Sequence, residues 1–355
     1  MPFAPAQVAR RLLNWYGSEG RVLPWRGTRD PYRVWLAEIM LQQTTVDAVI
    51  PYYERFLARF ADVGALAAAS IDEVLTLWAG LGYYARARNL HAAARQVVEQ
   101  HGGFFPDSLE GLQGLPGVGR STAGAILSIA FDRPAPILDG NVRRVLSRLF
   151  ALQENPRSTA AEKKLWRWAE ALTPADCPHD YAQAIMDLGA TVCVPRQPQC
   201  IVCPLDVLCR ARALGLEKQL PLPAARKKVP EIVQAALLWR DCSGRLRVCR
   251  RPYQGLLGGM WEFPTVEIAD GDDPAQAIGR FLQESGVSGE PQEVGRLRHI
   301  YSHFCLDLRL FGLASSSAQT VAEGDECRWV DEEALALLPL HGAHKKALPY
   351  LRQVG

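Results

Sequence analysis

Residues Leu115-Pro116-Gly117-Val118-Gly119-Arg120-Ser121-Thr122-Ala123-Gly124 predict a helix that ends before Leu115, a tight turn, and a second helix that begins near Arg120. Pro116 lacks the amide that a continuing helix needs, and the glycines let the backbone turn sharply and expose consecutive N–H groups. Such groups at a helix N-terminus suit a phosphate. Further along, Asp139 stands in Ile137-Leu138-Asp139-Gly140-Asn141, just before a helix expected from about Val142. By itself Asp139 reads equally well as the N-cap of that helix.

Outward from this hairpin, residues 5–216 carry apolar side chains at helical spacing, with turn signals at Gly80-Leu-Gly82, His101-Gly-Gly103 and Pro134-Ala-Pro136. Residues 219–230 are proline-rich with the basic run Arg226-Lys227-Lys228 and read as an extended linker. Beyond it the pattern changes to strands. Ile232–Arg240, Arg245–Arg250, His299–Leu313 and Cys327–Val330 are strand candidates, with a turn at Asp241–Gly244. Pro274–Glu284 and Glu332–Leu338 read as helices. The expected organisation is a helical domain over 1–218, the linker, and an α+β domain over 231–355.

The chain has 355 residues, 48% of them hydrophobic and 22% charged, which excludes a mostly disordered chain or a fibre. An uncharged apolar stretch lies between Arg120 and Asp132, too short for a membrane span of about 20 residues. The first residues have no apolar signal core, so a cytoplasmic protein is expected, with no membrane partner. The net charge of +2 does not announce a nucleic-acid partner, so any anion site must be local.

Nine cysteines in a reducing compartment read as metal ligands or small buried hydrophobes rather than as disulfides. Four of them, Cys193, Cys200, Cys203 and Cys209, fall within one short loop, 193–209. Structural zinc usually takes two separated Cys-x2-Cys knuckles. One such pair with two single cysteines at unequal spacing suits the corners of a four-iron four-sulfur ([4Fe–4S]) cluster better, with zinc as the alternative.

The third chemical signal is Trp35-Leu-Ala-Glu38-Ile-Met-Leu-Gln42-Gln43-Thr44-Thr45. Glu38 and Gln42 share one helix face. The apolar flank of Trp35, Ile39, Met40 and Leu41 predicts partial burial of Glu38 and a raised carboxyl pKa, the property of a general acid.

Hairpin, Asp139 and cysteine loop, in that order, resemble the helix-hairpin-helix DNA glycosylase superfamily, and the cysteine spacing is that of its endonuclease III branch. Four stretches resemble the MutY-type adenine glycosylases: Leu23-Pro-Trp-Arg26, Trp35–Thr45, Gly80–Asn89 and Tyr181-Ala-Gln-Ala-Ile-Met-Asp-Leu-Gly189. The match runs over nearly all of residues 5–216. It implies an all-α glycosylase core that binds double-stranded DNA as a monomer, associated with the nucleoid if the source is bacterial, and removes adenine mispaired with 8-oxoguanine or guanine. It also implies roles: Glu38 as acid, Asp139 as stabilising carboxylate, and Asn141 orienting Asp139 or the water. Trp25, Arg26 and Gln183 would line the adenine pocket. Gln43 and Tyr83 would fill the gap or wedge the strands, with Thr44 beside them. Gly117, Gly119, Arg120 and Arg143 would meet the DNA backbone. Bifunctional relatives carry a nucleophilic lysine at the position of Ser121, so Ser121 implies base removal without strand cleavage.

In the second domain, Gly255-Leu-Leu-Gly-Gly-Met-Trp-Glu-Phe-Pro264 resembles the Nudix fold ahead of its catalytic box. Across Gly279–Val287, where that box would fall, only Glu284 of its three glutamates remains. Phosphate-bound magnesium needs clustered carboxylates, so hydrolysis by this domain is not expected. A box-less Nudix-like domain fits the MutY family's reader of the opposite base. Tyr301-Ser302-His303 matches its Phe-Ser-His element, an aromatic wedge with two polar donors. Two other classes stay open, a bifunctional or thymine-type glycosylase and a non-enzymatic DNA-binding or redox-signalling iron–sulfur protein; a Nudix-type nucleotide hydrolase ranks well behind both.

Overall fold

Helix starts follow the local chemistry in the computed structural model, which describes residues 2–223, 229–253, 255–301, 304–315 and 326–354. Proline opens α1 (Pro5–Glu19) and α2 (Pro31–Leu41), where its missing amide costs nothing. Asp62 caps α4 (Val63–Ala68), which follows α3 (Val46–Arg59); Ser70 caps α5 (Ile71–Trp78). After α6 (Ala85–His101), Ser108 caps α7 (Leu109–Gln113), and α8 runs over Arg120–Phe131. Thus the first helix of the hairpin ends before Leu115 and the second begins at Arg120. Asp139 caps α9 (Gly140–Leu149), Ser158 caps α10 (Thr159–Leu172), and α11 (Pro178–Asp187) runs on into a π-helical turn, Leu188–Val192. The short α12 (Arg210–Ala213) follows the cysteine loop.

Contacts divide the chain into two units, Met1–Ala69 with Asn89–Arg226, and Ser70–Arg88 with Lys227–Gly355. Residues 70–88, read from sequence as part of the helical core, thus group with the C-terminal unit.

In the helical unit α2 and α8 lie at the centre, apolar on almost every side. Trp35, Leu36, Ile39 and Met40 of α2 and Ala123 through Ala130 of α8 are buried. Burying a large aliphatic or aromatic side chain stabilises by about 1.5–3 kcal/mol. A Cβ on Gly124 would stand 2.3 Å from the Pro136 carbonyl oxygen, so the segment that leads to Asp139 lies directly against α8.

The second unit is a mixed sheet with a helical layer on each face. Its described strands are β1 (Glu231–Arg240), β2 (Leu246–Arg250), β3 (Trp261–Glu262), β4 (Thr265–Glu267), β5 (Gln292–Ile300), β6 (Cys305–Ala314) and β7 (Cys327–Val330). The order is β3-β2-β1-β6-β5, with β4 on β1 and β7 on β2, and β1 and β6 run parallel. Alternate residues of β1 serve two cores. Ala235, Leu237 and Trp239 pack with Ile278 and Leu282 of α13 (Pro274–Glu284). Ala236 and Leu238 face the core that holds Leu335 of α14 (Glu332–Leu337) and Ala343 and Ala347 of α15 (Gly342–Ala347).

Two expectations need correction. The single strand candidate His299–Leu313 is two antiparallel strands, broken at Tyr301 and Phe304, where the Tyr301 amide donates to the Phe304 carbonyl at 2.9 Å. The polar pair Ser302-His303 interrupts the apolar alternation between Tyr301 and Phe304. Cysteines 249 and 327, read as unpaired, form a disulfide. Antiparallel pairing of β2 with β7 sets them directly opposite each other, a proximity that sequence separation conceals.

Gly124→Ala should destabilise the helical unit by about 1–3 kcal/mol, the usual cost of overpacking. Because the displaced segment carries Asp139, activity should fall along with the unfolding temperature; calorimetry and a base-release assay on the same sample check this.

Candidate active site

The helical unit contains a cavity of about 830 Å³. Its wall brings together Trp25, Arg26, Glu38, Gln42, Thr44, Ser121, Asp139, Asn141 and Gln183, from four helices, the loop after α1 and the α2–α3 connection. Trp25 is held edge-on against Tyr53, ring centroids 5.3 Å apart. Gln183 is buried on α11. Gln42 ties α2 to the hairpin, its Nε2 donating to Thr122 Oγ1 at 3.2 Å and to the Gly117 carbonyl at 3.4 Å.

Asp139 is both N-cap and cavity-wall carboxyl. Its Oδ1 accepts from the Val142 amide at 2.7 Å, and Oδ2 accepts from Asn141 Nδ2 at 3.4 Å. Burial pushes its pKa up, while the Val142 amide, the Arg144 charge and Asn141 pull against that rise. Ser121 Oγ accepts from the Leu138 amide at 2.9 Å, so α8 holds the residue just before Asp139. Asn141 Oδ1 accepts from Arg144 Nη2 at 2.8 Å, and Arg144 Nε donates to the Cys193 carbonyl at 2.7 Å. A hydrogen-bonded path therefore joins the cysteine loop to Asp139. Gly189 allows it, because a Cβ there would stand 2.6 Å from Asn141 Cβ.

Glu38 sits half-buried on the same wall. Burial raises its pKa to about 7, with the Arg26 charge acting downward and Asp139 upward. The two carboxyl groups therefore differ in surroundings: amide and amide-side-chain donors serve Asp139, whereas an apolar helix face surrounds Glu38.

Other residues singled out from sequence lie elsewhere. Gln43 and Tyr83 are not among the cavity-lining residues, and both hold left-handed backbone, φ 60° and 50°. For side chains of this size that conformation is costly, of order 1–3 kcal/mol, and tends to cluster at functional positions. Tyr83 belongs to the C-terminal unit, its ring 5.3 Å from the Arg86 guanidinium. Gly117 has φ 78°, and Gly119 precedes α8 without a side-chain cap, which leaves the first-turn amides to other partners. Arg120 stacks over Trp166 at 4.0 Å and pairs with Glu170. Arg143 donates to the Pro156 carbonyl at 2.6 Å and to Glu162 at 3.1 Å.

Cys193, Cys200, Cys203 and Cys209 line one small cavity with the buried Arg148, whose Nη1 lies 3.3 Å from Cys193 Sγ. All four thiols are free of disulfides. A single tetrahedral zinc would hold its sulfurs about 3.8 Å apart, given zinc–sulfur bonds near 2.3 Å. Among the described residues, the group whose ligand atoms all lie within 4.8 Å of one another is Glu262, His341 and His344, not the cysteines. Four free thiols around one cavity are a donor set that could hold a metal cluster.

In the C-terminal unit, Ser302 and His303 lie outside the described residues. Tyr301 is half-buried, its ring stacked on Phe304 with centroids 4.7 Å apart. Its hydroxyl hydrogen-bonds with His341 Nδ1 at 2.8 Å and accepts from the Ala343 amide at 3.1 Å. His341 Nε2 in turn meets Glu262 Oε2 at 3.0 Å, where Arg251 also donates at 2.8 Å. The ring thus points into the unit, as an anchor for the β5–β6 connection. The Arg251 charge on Glu262 and the Phe263 amide on His344 Nδ1 occupy the donor set that a metal would need. Glu284, at the end of α13, is exposed.

Sequence reasoning missed Arg21, Arg144 and Asp187. Asp187 lies within the quoted stretch Tyr181–Gly189, and a charged residue in that apolar run was the available signal; its partners stand more than 160 positions away.

The fold and site define a class. Residues 36–171 match the HhH-GPD superfamily base excision DNA repair protein model, and residues 235–350 match a NUDIX domain. The helical unit resembles a thermostable thymine-DNA glycosylase, with TM-score 0.55 and 30% identity over 59% of this chain and 97% of that one. It shares its fold with an endonuclease III trapped on DNA, with TM-score 0.51 and 23% identity over 60% and 99%. This is a helix-hairpin-helix base-excision glycosylase, an enzyme acting on DNA.

The adenine DNA glycosylase of Mus musculus is 37% identical over 94% of this chain and 76% of its own length. That of Homo sapiens is 36% identical over 94% and 72%. The chain belongs to the adenine DNA glycosylase family. No helix among its described residues is long and apolar enough to cross a membrane.

With Glu38 near 7, its proton is present below neutrality and lost as pH rises. The Asp139 carboxylate, raised by burial, is lost as pH falls. The kcat/KM for base release, which reports groups of the free enzyme, should follow a bell-shaped profile whose alkaline limb has its midpoint near pH 7. A flat profile through pH 9 would contradict Glu38 as the acid.

Proposed function

We propose that this enzyme excises adenine paired with 8-oxoguanine, and with guanine, from duplex DNA, and leaves the strand uncut. The observation that carries the reading is the pair of carboxyl groups, Glu38 and Asp139, on one cavity wall in unequal surroundings. Adenine inside the stack is out of reach of a recessed cavity, so the nucleotide must flip out, at a cost of a few kcal/mol. Trp25, Arg26 and Gln183 then face the base. The positive-φ residues Gln43 and Tyr83 are the candidates to fill the gap left in the duplex. The uncapped start of α8 offers its amides to a backbone phosphate.

Glu38 gives its proton to an imidazole-ring nitrogen of adenine. The C1′–N bond then breaks with its electron pair going to the base, which leaves uncharged. Positive charge develops on the sugar, and the Asp139 carboxylate, steered by Asn141, stabilises it. Water adds to C1′ and releases a proton. Ser121 has no amine to form an imine, so the chemistry ends at the abasic site. One copy of the chain carries every group named.

Cys193, Cys200, Cys203 and Cys209 are the ligands for a [4Fe–4S] cluster, which would order the loop that follows the π-helical turn. The path through Arg144 and Asn141 makes Asp139 sensitive to the order of that loop. Ser302 and His303, next to the anchored Tyr301, are the candidates to distinguish 8-oxoguanine from guanine.

Glu38→Gln should lose about 10²–10⁴-fold in single-turnover rate while still binding the mispaired duplex, since general acid catalysis contributes that much. Asp139→Asn should fail similarly. Wild-type rates in Glu38→Gln would remove it from the mechanism. Changing Ser302 and His303 together to Ala should leave cleavage opposite guanine within twofold and sharply reduce the preference for 8-oxoguanine. Equal preference before and after would locate the reader elsewhere.

A further inference from the structure

Asp187 has no solvent-exposed side-chain surface, yet it carries a carboxylate. Four donors meet it. The Arg21 amide reaches Oδ2 at 3.0 Å, while Arg21 Nε and Nη2 reach Oδ1 at 3.1 and 2.6 Å. The fourth is Arg26 Nη2, 2.7 Å from Oδ1. Arg26 itself is mostly buried, with its side chain 12% exposed, and lines the same cavity as Glu38. Its Nε is buried without a hydrogen-bond partner, so the guanidinium is not fully consumed by the fold.

A cation on that wall creates a conflict. General acid catalysis needs Glu38 protonated, and a nearby guanidinium favours the carboxylate. The other charged groups lining the cavity are Arg21 from the loop after α1, Asp47 of α3, and Asp139 and Arg144 at α9. On Glu38, Arg26 acts downward and Asp139 upward. Two carboxyl groups thus stand near one guanidinium. Asp187 takes it, because it is the one locked by a second arginine.

We propose that Asp187 is a positioning residue for catalysis: by holding and neutralising Arg26, it keeps that cation from ion-pairing with Glu38 and so preserves the acid. This rests on Glu38 being the acid. Removal of the Asp187 charge leaves Arg26 free to pair with Glu38. That pairing shifts the alkaline limb of activity to lower pH.

The test is single-turnover adenine release by the full chain, from a duplex with adenine opposite 8-oxoguanine, between pH 5 and 9. In Asp187→Asn the alkaline limb should move down by at least one pH unit, with about a tenfold loss at pH 8 and no more than about threefold at pH 5.5. Adding Arg26→Gln should return the limb toward its wild-type position, even though the rate stays low. A uniform loss at every pH, with the limb unmoved, would make Asp187 merely structural and overturn the proposal. Should Asp187→Asn not fold, Arg26→Gln alone decides. Its limb must move up, and an unmoved limb overturns the proposal. Glu38→Gln, run alongside, separates the two failures. If it keeps wild-type activity and profile, the assignment of the acid fails, whatever Asp187 does.

Discussion

The amide of Val142 donates to Asp139 at the start of α9, and much of the helical unit is arranged around that one bond. An N-cap normally satisfies an orphan amide and ends there. Here the capping carboxylate also faces a cavity, so its position must be held from several sides. Ser121 holds the preceding residue from α8, Asn141 and Arg144 hold it from α9, and the Gly124–Pro136 contact brings the segment close enough for both. Glycine at 124 and 189 is therefore a packing requirement, since a methyl at either would displace the chain that carries Asp139 or Asn141.

Electrostatics separates the two carboxyl groups. Burial raises both, but donors converge on Asp139 and oppose the rise. Glu38, on the apolar α2, receives no such set, and Asp139 itself pushes it further up. A pair in unequal surroundings can supply an acid and an anion from the same residue chemistry. Arg26, which acts against the rise at Glu38, is itself bonded to Asp187.

The sequence was informative where chemistry is local. The hairpin ends, the Asp139 cap and the helix Pro274–Glu284 follow from turn residues, capping and period, and the structure has them at those positions. It was silent where contacts are distant. The Cys249–Cys327 disulfide depends on strand pairing, and the grouping of residues 70–88 depends on packing. Tyr301 entered only through the resemblance, as an aromatic wedge, and the local sequence held no sign that its hydroxyl bonds with His341, forty positions away.

By itself, the order of residues determined which groups are available: one glutamate in an apolar helix, one aspartate at a helix start, four clustered cysteines, and a serine in the first turn after the glycine hairpin. These depend on spacing along a single element, and helical period and capping geometry translate spacing directly into position. Tertiary structure alone decided the state of those groups. Burial raises the Glu38 carboxyl, Arg26 and Asp139 act on it in opposite senses, and Arg26 is bonded to Asp187. Charge interactions act through space over a few ångströms, and the fold brings to that range residues separated by more than a hundred positions.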